Sequence, residues 1–97
     1  MTNYPDDEEL EKIERWDAAD FIGWMIFIES IWTFCDWGWS CSAGEYDIST
    51  GGWSGNESII SAMQNNVLLW MTHWESQRRG GHYRLMTMEA SRKARLR

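Results

Sequence analysis

Eight tryptophans in a chain of 97 residues set the first limit on how it folds. Tryptophan is large, and its one N–H wants an acceptor once it is buried. A chain this long makes a single domain, residues 1–97, with a core of marginal size. Such a core does not readily enclose eight indoles, so some are expected to line a pocket or a subunit interface.

The run FIGWMIFIESIWTF, residues 21–34, sharpens the point. It is too short for a transmembrane helix and contains Glu29. A helix apolar nearly all round must be covered on several sides. In so small a protein a second subunit is the natural cover. A homo-oligomer, most simply a dimer through this helix, is therefore expected, and no membrane association.

Pro5 and the acids of DDEELEKIERW mark a helix start, because acids complement the positive end of a helix dipole. From Leu10, a stripe at spacings of three and four runs to Cys35, interrupted once by Asp17. Gly38 and Gly44 break that pattern. Trp37, Trp39 and Cys41 alternate, as do Tyr46 and Ile48, which predicts two short strands turning near residues 42–44. A second helix is predicted over about 55–77, with Ile59, Met63, Val67, Trp70 and Trp74 on its apolar stripe. RRGG reads as its stop, and Tyr83, Leu85 and Thr87 as a last strand. The fold class is α+β: two helices packed on a small antiparallel sheet in the order α–β–β–α–β. Residues 1–5 and about 90–97 are expected to be flexible ends.

The stretch DISTGGWSGNES sets three glycines around Trp53. Ser54-Gly55-Asn56-Glu57 fits the capping box S-x-x-E, with Ser54 as the N-cap and not a nucleophile. That box places a carboxylate where a phosphate would sit on a helix N-terminus. Trp53 and Ser58 form no hydrophobic staple, so Trp53 is either tucked into the core beside a tight turn or offers its ring to a flat ligand. Gly51 and Gly52 precede the cap, where paired glycines let a ligand approach the backbone. No Walker loop is present, and Asn56 breaks G-x-S-x-G. Arg78 and Arg79 complement a helix C-terminus or make a guanidinium fork for phosphate or carboxylate. His82 and Tyr83 lie beside them.

Residues 1–50 hold twelve acids against two bases, and residues 51–97 three acids against seven bases. The balance of −6 disfavours nucleic acid as a partner. Cys35 and Cys41 follow an acidic N-terminus unlike a secretory leader, so free thiols in a reducing cytoplasm are expected. The spacings C-x5-C and H-x8-H match no usual zinc pattern. No spacing singles out an acid–base pair, and His73 between Trp70 and Trp74 reads as a packed or solvent-edge histidine rather than a catalyst. No catalytic residue, metal or cofactor is assigned.

At ISTGGWSGNE, residues 48–57, and RRGGHY, residues 78–83, the chain resembles a family of small uncharacterised bacteriophage proteins. The resemblance covers roughly the C-terminal half and supplies an origin without an activity. It implies an accessory protein working in the host cytoplasm on a host system. The expected function is binding and sequestering a nucleotide-type molecule, such as a host-defence signal. The alternative is a protein-binding inhibitor of a host defence or metabolic protein. The expected ligand residues are Gly51, Gly52, Trp53, Asn56, Arg78, Arg79, His82 and Tyr83. A helix of some twenty residues would hold Trp53 and Arg78 roughly 30 Å apart. They would then meet only across a subunit boundary.

Overall fold

The structure is a computed structural model that describes residues 4–33 and 35–96. Helix α1, Asp7–Glu14, starts after Pro5 as predicted and begins on a capping box of its own. Asp6 Oδ1 accepts from the Glu9 amide at 2.8 Å, and Glu9 Oε1 accepts from the Asp6 amide at 3.0 Å. The predicted continuous stripe from Leu10 to Cys35 is broken at residues 15–20. Two aspartates offer the backbone a better option than helix there. Asp17 Oδ1 accepts from the Ala19 amide, and Asp20 Oδ1 caps a new helix through the Gly23 amide. That helix is α2, Phe21–Ile31, and Phe34 lies outside the described residues. The short α3, Cys35–Gly38, covers Cys35, the predicted end of the helical stripe, and Trp37, a position predicted as strand.

Strands β1, Trp39–Ser42, and β2, Glu45–Ser49, form the expected hairpin. Its two turn residues, Ala43 and Gly44, both have positive φ, as a tight primed turn requires. Helices α4, Ser54–Asn65, and α5, Val67–His73, follow, and then β3, Trp74–Arg78, β4, His82–Met86, and α6, Met88–Arg95. The sheet is antiparallel throughout, in the order β1-β2-β4-β3.

The α+β class with helices on an antiparallel sheet is as the sequence predicts, but the element order is not. The helix read over 55–77 is two helices and a strand. Asn66 makes the first break: Nδ2 donates to the Ile13 and Trp16 carbonyls, and Oδ1 accepts from the Leu69 amide. The second break, at Trp74, follows from pairing with β4. The C-terminal end read as flexible is largely α6. Thr87 Oγ1 caps it at 3.1 Å, Glu89 sits in its first turn, and Arg92, Lys93 and Arg95 in its last. That charge order suits the helix dipole.

The core lies between the helices and one face of the sheet. Trp24, Met25 and Ile28 of α2, Ile59 and Met63 of α4, and Leu69 of α5 pack with Tyr46, Ile48 and Leu85. Trp24 is fully enclosed, and its indole N–H donates to the Ile13 carbonyl at 3.0 Å. Among the described residues, tryptophans 24, 32, 39 and 70 are buried within the single chain. A second subunit is therefore not needed to cover most of α2.

Ser54 is the first residue of α4, not its cap; Trp53 holds the N-cap position without a side-chain cap bond. The Ser54 hydroxyl bonds instead to that of Tyr4 at the surface. Asp6→Ala should therefore cost about 1 kcal/mol. Ser54→Ala should stay within about 0.5 kcal/mol. Thermal melts of the two variants side by side decide the assignment.

His73 is buried and stacked on Phe21 with ring centroids 3.8 Å apart. Its Nδ1 lies 2.8 Å from the Met86 carbonyl and so carries the proton. Burial lowers its pKa from 6.5, and the Met86 carbonyl offsets part of that. The unfolded chain therefore takes up the proton first as pH falls. Stability should drop from about pH 6.5 down to the lower folded-state pKa and then level off. His73→Phe should flatten that limb in urea titrations at stepped pH.

Candidate functional site at the double-glycine turns

The two glycine pairs are turn chemistry. Trp53 N–H donates to the Thr50 carbonyl at 3.0 Å, closing a turn over Gly51 and Gly52. Both have positive φ, 63° and 75°, which side chains other than glycine rarely adopt. Gly80 and Gly81, φ 85° and 77°, form the loop between Arg78 and His82, which pair across the β3–β4 hairpin.

These two turns touch. The Thr50 amide donates to the Gly81 carbonyl at 3.0 Å, next to the Ser49–His82 pair of the sheet. A Cβ on Gly81 would fall 2.2 Å from Thr50 Oγ1. The segments 48–57 and 78–83 thus lie side by side within one chain. The expectation that a long helix separates them, so that only a second subunit could join them, is overturned. The helix breaks at Asn66, and β3 brings the chain back to the same end of the sheet.

The eight expected ligand residues separate into an outer and an inner set. Asn56, only 1% exposed, is consumed internally. Its Oδ1 accepts from the Thr33 amide at 2.9 Å, and its Nδ2 donates to the Thr33 and Thr50 carbonyls at 2.7 and 3.4 Å. Both amide hydrogens are engaged, so Asn56 holds the glycine turn in place and has none left for a ligand. Trp53 is half-buried, with its ring 5.0 Å from that of Tyr4 and its indole over Gly55. A Cβ at Gly55 would meet Trp53 Nε1 at 2.6 Å, so this glycine makes room for the indole. Tyr83 lies edge-on to Trp70 on the helix side of the sheet. Burial, and next the charge of Glu57, raise its pKa, so its hydroxyl stays protonated.

The outer set is Gly51, Gly52, Arg78, Arg79 and His82, all exposed. A Cβ on Gly52 would meet nothing within 4 Å, so the backbone there is open to solvent. Arg78 and His82 line a groove of about 330 Å³ with Asp47, Ile48, Ser76 and Arg84, and Tyr83 of the inner set lines it too. Strand register explains the grouping: Asp47, Arg84 and Ser76 form one cross-strand row, and Ser49, His82 and Arg78 the next. Side chains in such rows share a face. Arg84 is neutralised by Glu45 and by Asp47, the latter at 3.7 Å. Among the described residues neither Arg78 nor Arg79 belongs to an ion pair. Asp47, Ser76 and Arg84 were not expected at the site. Alternation in EYDIS and HYRLM carried the signal for two of them, since it puts Asp47 and Arg84 opposite the core residues Ile48 and Leu85.

Among the described residues no group of three or more His, Cys, Asp or Glu could hold a metal ion. No helix there is long and apolar enough to cross a membrane. Comparison of the chain with known protein families, curated proteins and solved structures found no match.

Proposed function

We propose that the protein binds a phosphate-bearing small molecule of nucleotide type at the end of the sheet where the two double-glycine turns meet. The observation that carries this reading is that Arg78 and His82 share one groove, that neither Arg78 nor Arg79 is in an ion pair among the described residues, and that the exposed Gly51–Gly52 turn docks on the same hairpin through Thr50 and Gly81. Guanidinium groups outside ion pairs make strong two-pronged bonds to phosphate. A groove of about 330 Å³ falls at the small end of ligand sites. The Arg84–Glu45–Asp47 cluster, one positive charge against two negative, would fix the far wall and repel a phosphate placed too deep. Recognition rests on the phosphate end, because Trp53 is partly covered by Tyr4.

The protein would hold its ligand without turning it over, which makes it a sequestering protein. The setting, a phage accessory protein acting in the host cytoplasm against a defence signal, rests on the resemblance of residues 48–57 and 78–83. A second reading, an inhibitor that binds a host protein, is favoured by the exposed apolar arc of α5, where Leu68 and Met71 are 69% and 70% exposed.

Calorimetric titration with mono-, di- and cyclic nucleotides and with ADP-ribose tests the first reading. Losing a hydrogen bond to a charged group removes about 1.5–3 kcal/mol. Arg78→Ala should therefore weaken binding about tenfold or more. Absence of binding by every compound at millimolar concentration would transfer the proposal to the protein target.

A further inference from the structure

We infer that the groove takes a ribose 5′-phosphate unit with its 2′,3′-diol free, and that Asp47 is the residue that reads the diol. The inference rests on the ligand reading above and adds the sugar to the phosphate. The groove carries different chemistry at its two ends. Arg78 and His82 stand at one, and Asp47, Arg84 and Ser76 at the other. The two rows are two residues apart on each strand: Asp47 and Ser49 on β2, Arg84 and His82 on β4, Ser76 and Arg78 on β3. Two strand residues span about 7 Å. A phosphate held by Arg78 and His82 therefore leaves room along the same face for one sugar ring before the Asp47 row is reached.

Asp47 selects which sugar. Arg84 is already paired with Glu45, to which its guanidinium donates directly. Asp47 Oδ1 stays 3.7 Å from Arg84 Nε, too far for a hydrogen bond. Arg84 Nε is closed off from solvent and finds no acceptor. Among the described residues the Asp47 carboxylate thus accepts no hydrogen bond and is the surplus negative charge of the groove. An ionised carboxylate only accepts, and its two oxygens can take two donors at once. Adjacent hydroxyls on one ring offer that pair of donors, whereas a second phosphate in this place is repelled. Dinucleotide-binding folds hold ribose by the same pairing of an acidic side chain with a sugar hydroxyl. A site that bonds a ligand hydroxyl rejects the analogue lacking it. The Asp47 side chain is 54% exposed, so water softens the rejection to about tenfold.

Calorimetric titration of AMP, 2′-deoxy-AMP and ribose 5-phosphate tests this, with circular dichroism to confirm that each variant is folded. The wild type should bind AMP about tenfold more tightly than 2′-deoxy-AMP. Asp47→Ala, at an exposed site, should bring the two affinities together. Arg78→Ala should weaken both and leave their ratio as it was, because it removes the phosphate contact and not the diol contact. Ribose 5-phosphate separates the two sources of this chemistry: affinity equal to that of AMP assigns a free sugar phosphate, and weaker affinity assigns the nucleotide. Equal binding of AMP and 2′-deoxy-AMP by the wild type, or a preference that survives Asp47→Ala, overturns the diol inference and leaves the phosphate reading standing. Binding of none of the three at millimolar concentration overturns both.

Discussion

Asn56→Ala is expected to lower stability by about 3 kcal/mol, the sum of several backbone groups stranded at ~1–3 kcal/mol each and partly relieved by solvent. The side chain is 1% exposed and satisfies three backbone groups, two on Thr33 and one on Thr50. Alanine leaves all three without that partner. In a domain of this size such a loss should lower the melting temperature by more than about 10 °C. The loss should also loosen the Thr50–Trp53 turn, so ligand affinity should fall although Asn56 touches no ligand. Asn56→Asp keeps the acceptor for the Thr33 amide but sets a buried carboxylate oxygen against the Thr33 and Thr50 carbonyls, and should lose at least as much as alanine. Urea unfolding of the three proteins measures this. A shift under 1 kcal/mol for alanine would show that the clip is unimportant.

Gly81→Ala carries the second large effect. Its Cβ would be placed 2.2 Å from Thr50 Oγ1 on a backbone with φ of 77°. The left-handed conformation alone costs a side chain about 1–2 kcal/mol, and the collision forces the two turns apart on top of that. Gly52→Ala is the control, since it has nearly the same φ, 75°, and open space around the added carbon. Gly52→Ala should lose only the conformational part. Gly81→Ala should lose more stability and also the protection of the Thr50 amide against hydrogen exchange. Equal losses in the two variants would contradict the close docking of the turns.

Much of this architecture was readable from residue pattern. The β1–β2 hairpin, the strand at Tyr83 and Leu85, and the α+β class all follow from alternation and glycine placement. The helix breaks were not readable, for a physical reason. Asp20 starts α2 through the Gly23 amide, a local cap hidden by an apolar stripe that runs through it, while Asn66 ends α4 and starts α5 and reaches Ile13, 53 positions away, a partner that periodicity cannot supply. Strand β3, WESQR, was missed because all five of its residues are exposed. With no buried side it shows no alternation, and only its pairing with β4 makes it a strand. The capping box expected at Ser54 is absent because α4 starts one residue earlier and the Ser54 hydroxyl bonds to Tyr4, while α1 carries a box at Asp6.

The site was legible in its parts and not in its assembly. The glycine pairs, Arg78, Arg79 and His82 could be picked from their types. That the turns meet inside one chain depends on the break at Asn66 and on β3, neither visible in the pattern. Asn56 looked like a ligand residue because it stands in the glycine-rich stretch, yet its burial assigns its amide to Thr33 and Thr50.

One experiment bears most directly on the claim that a single chain builds the anion site. It is the calorimetric titration of ADP-ribose into the protein at stepped protein concentrations, with and without Arg78→Ala and Arg79→Ala. Affinity per chain should not change with protein concentration, because both turns come from one chain, and binding should vanish when the two arginines are removed. Affinity that falls as the protein is diluted, or unchanged binding without Arg78 and Arg79, would contradict the account.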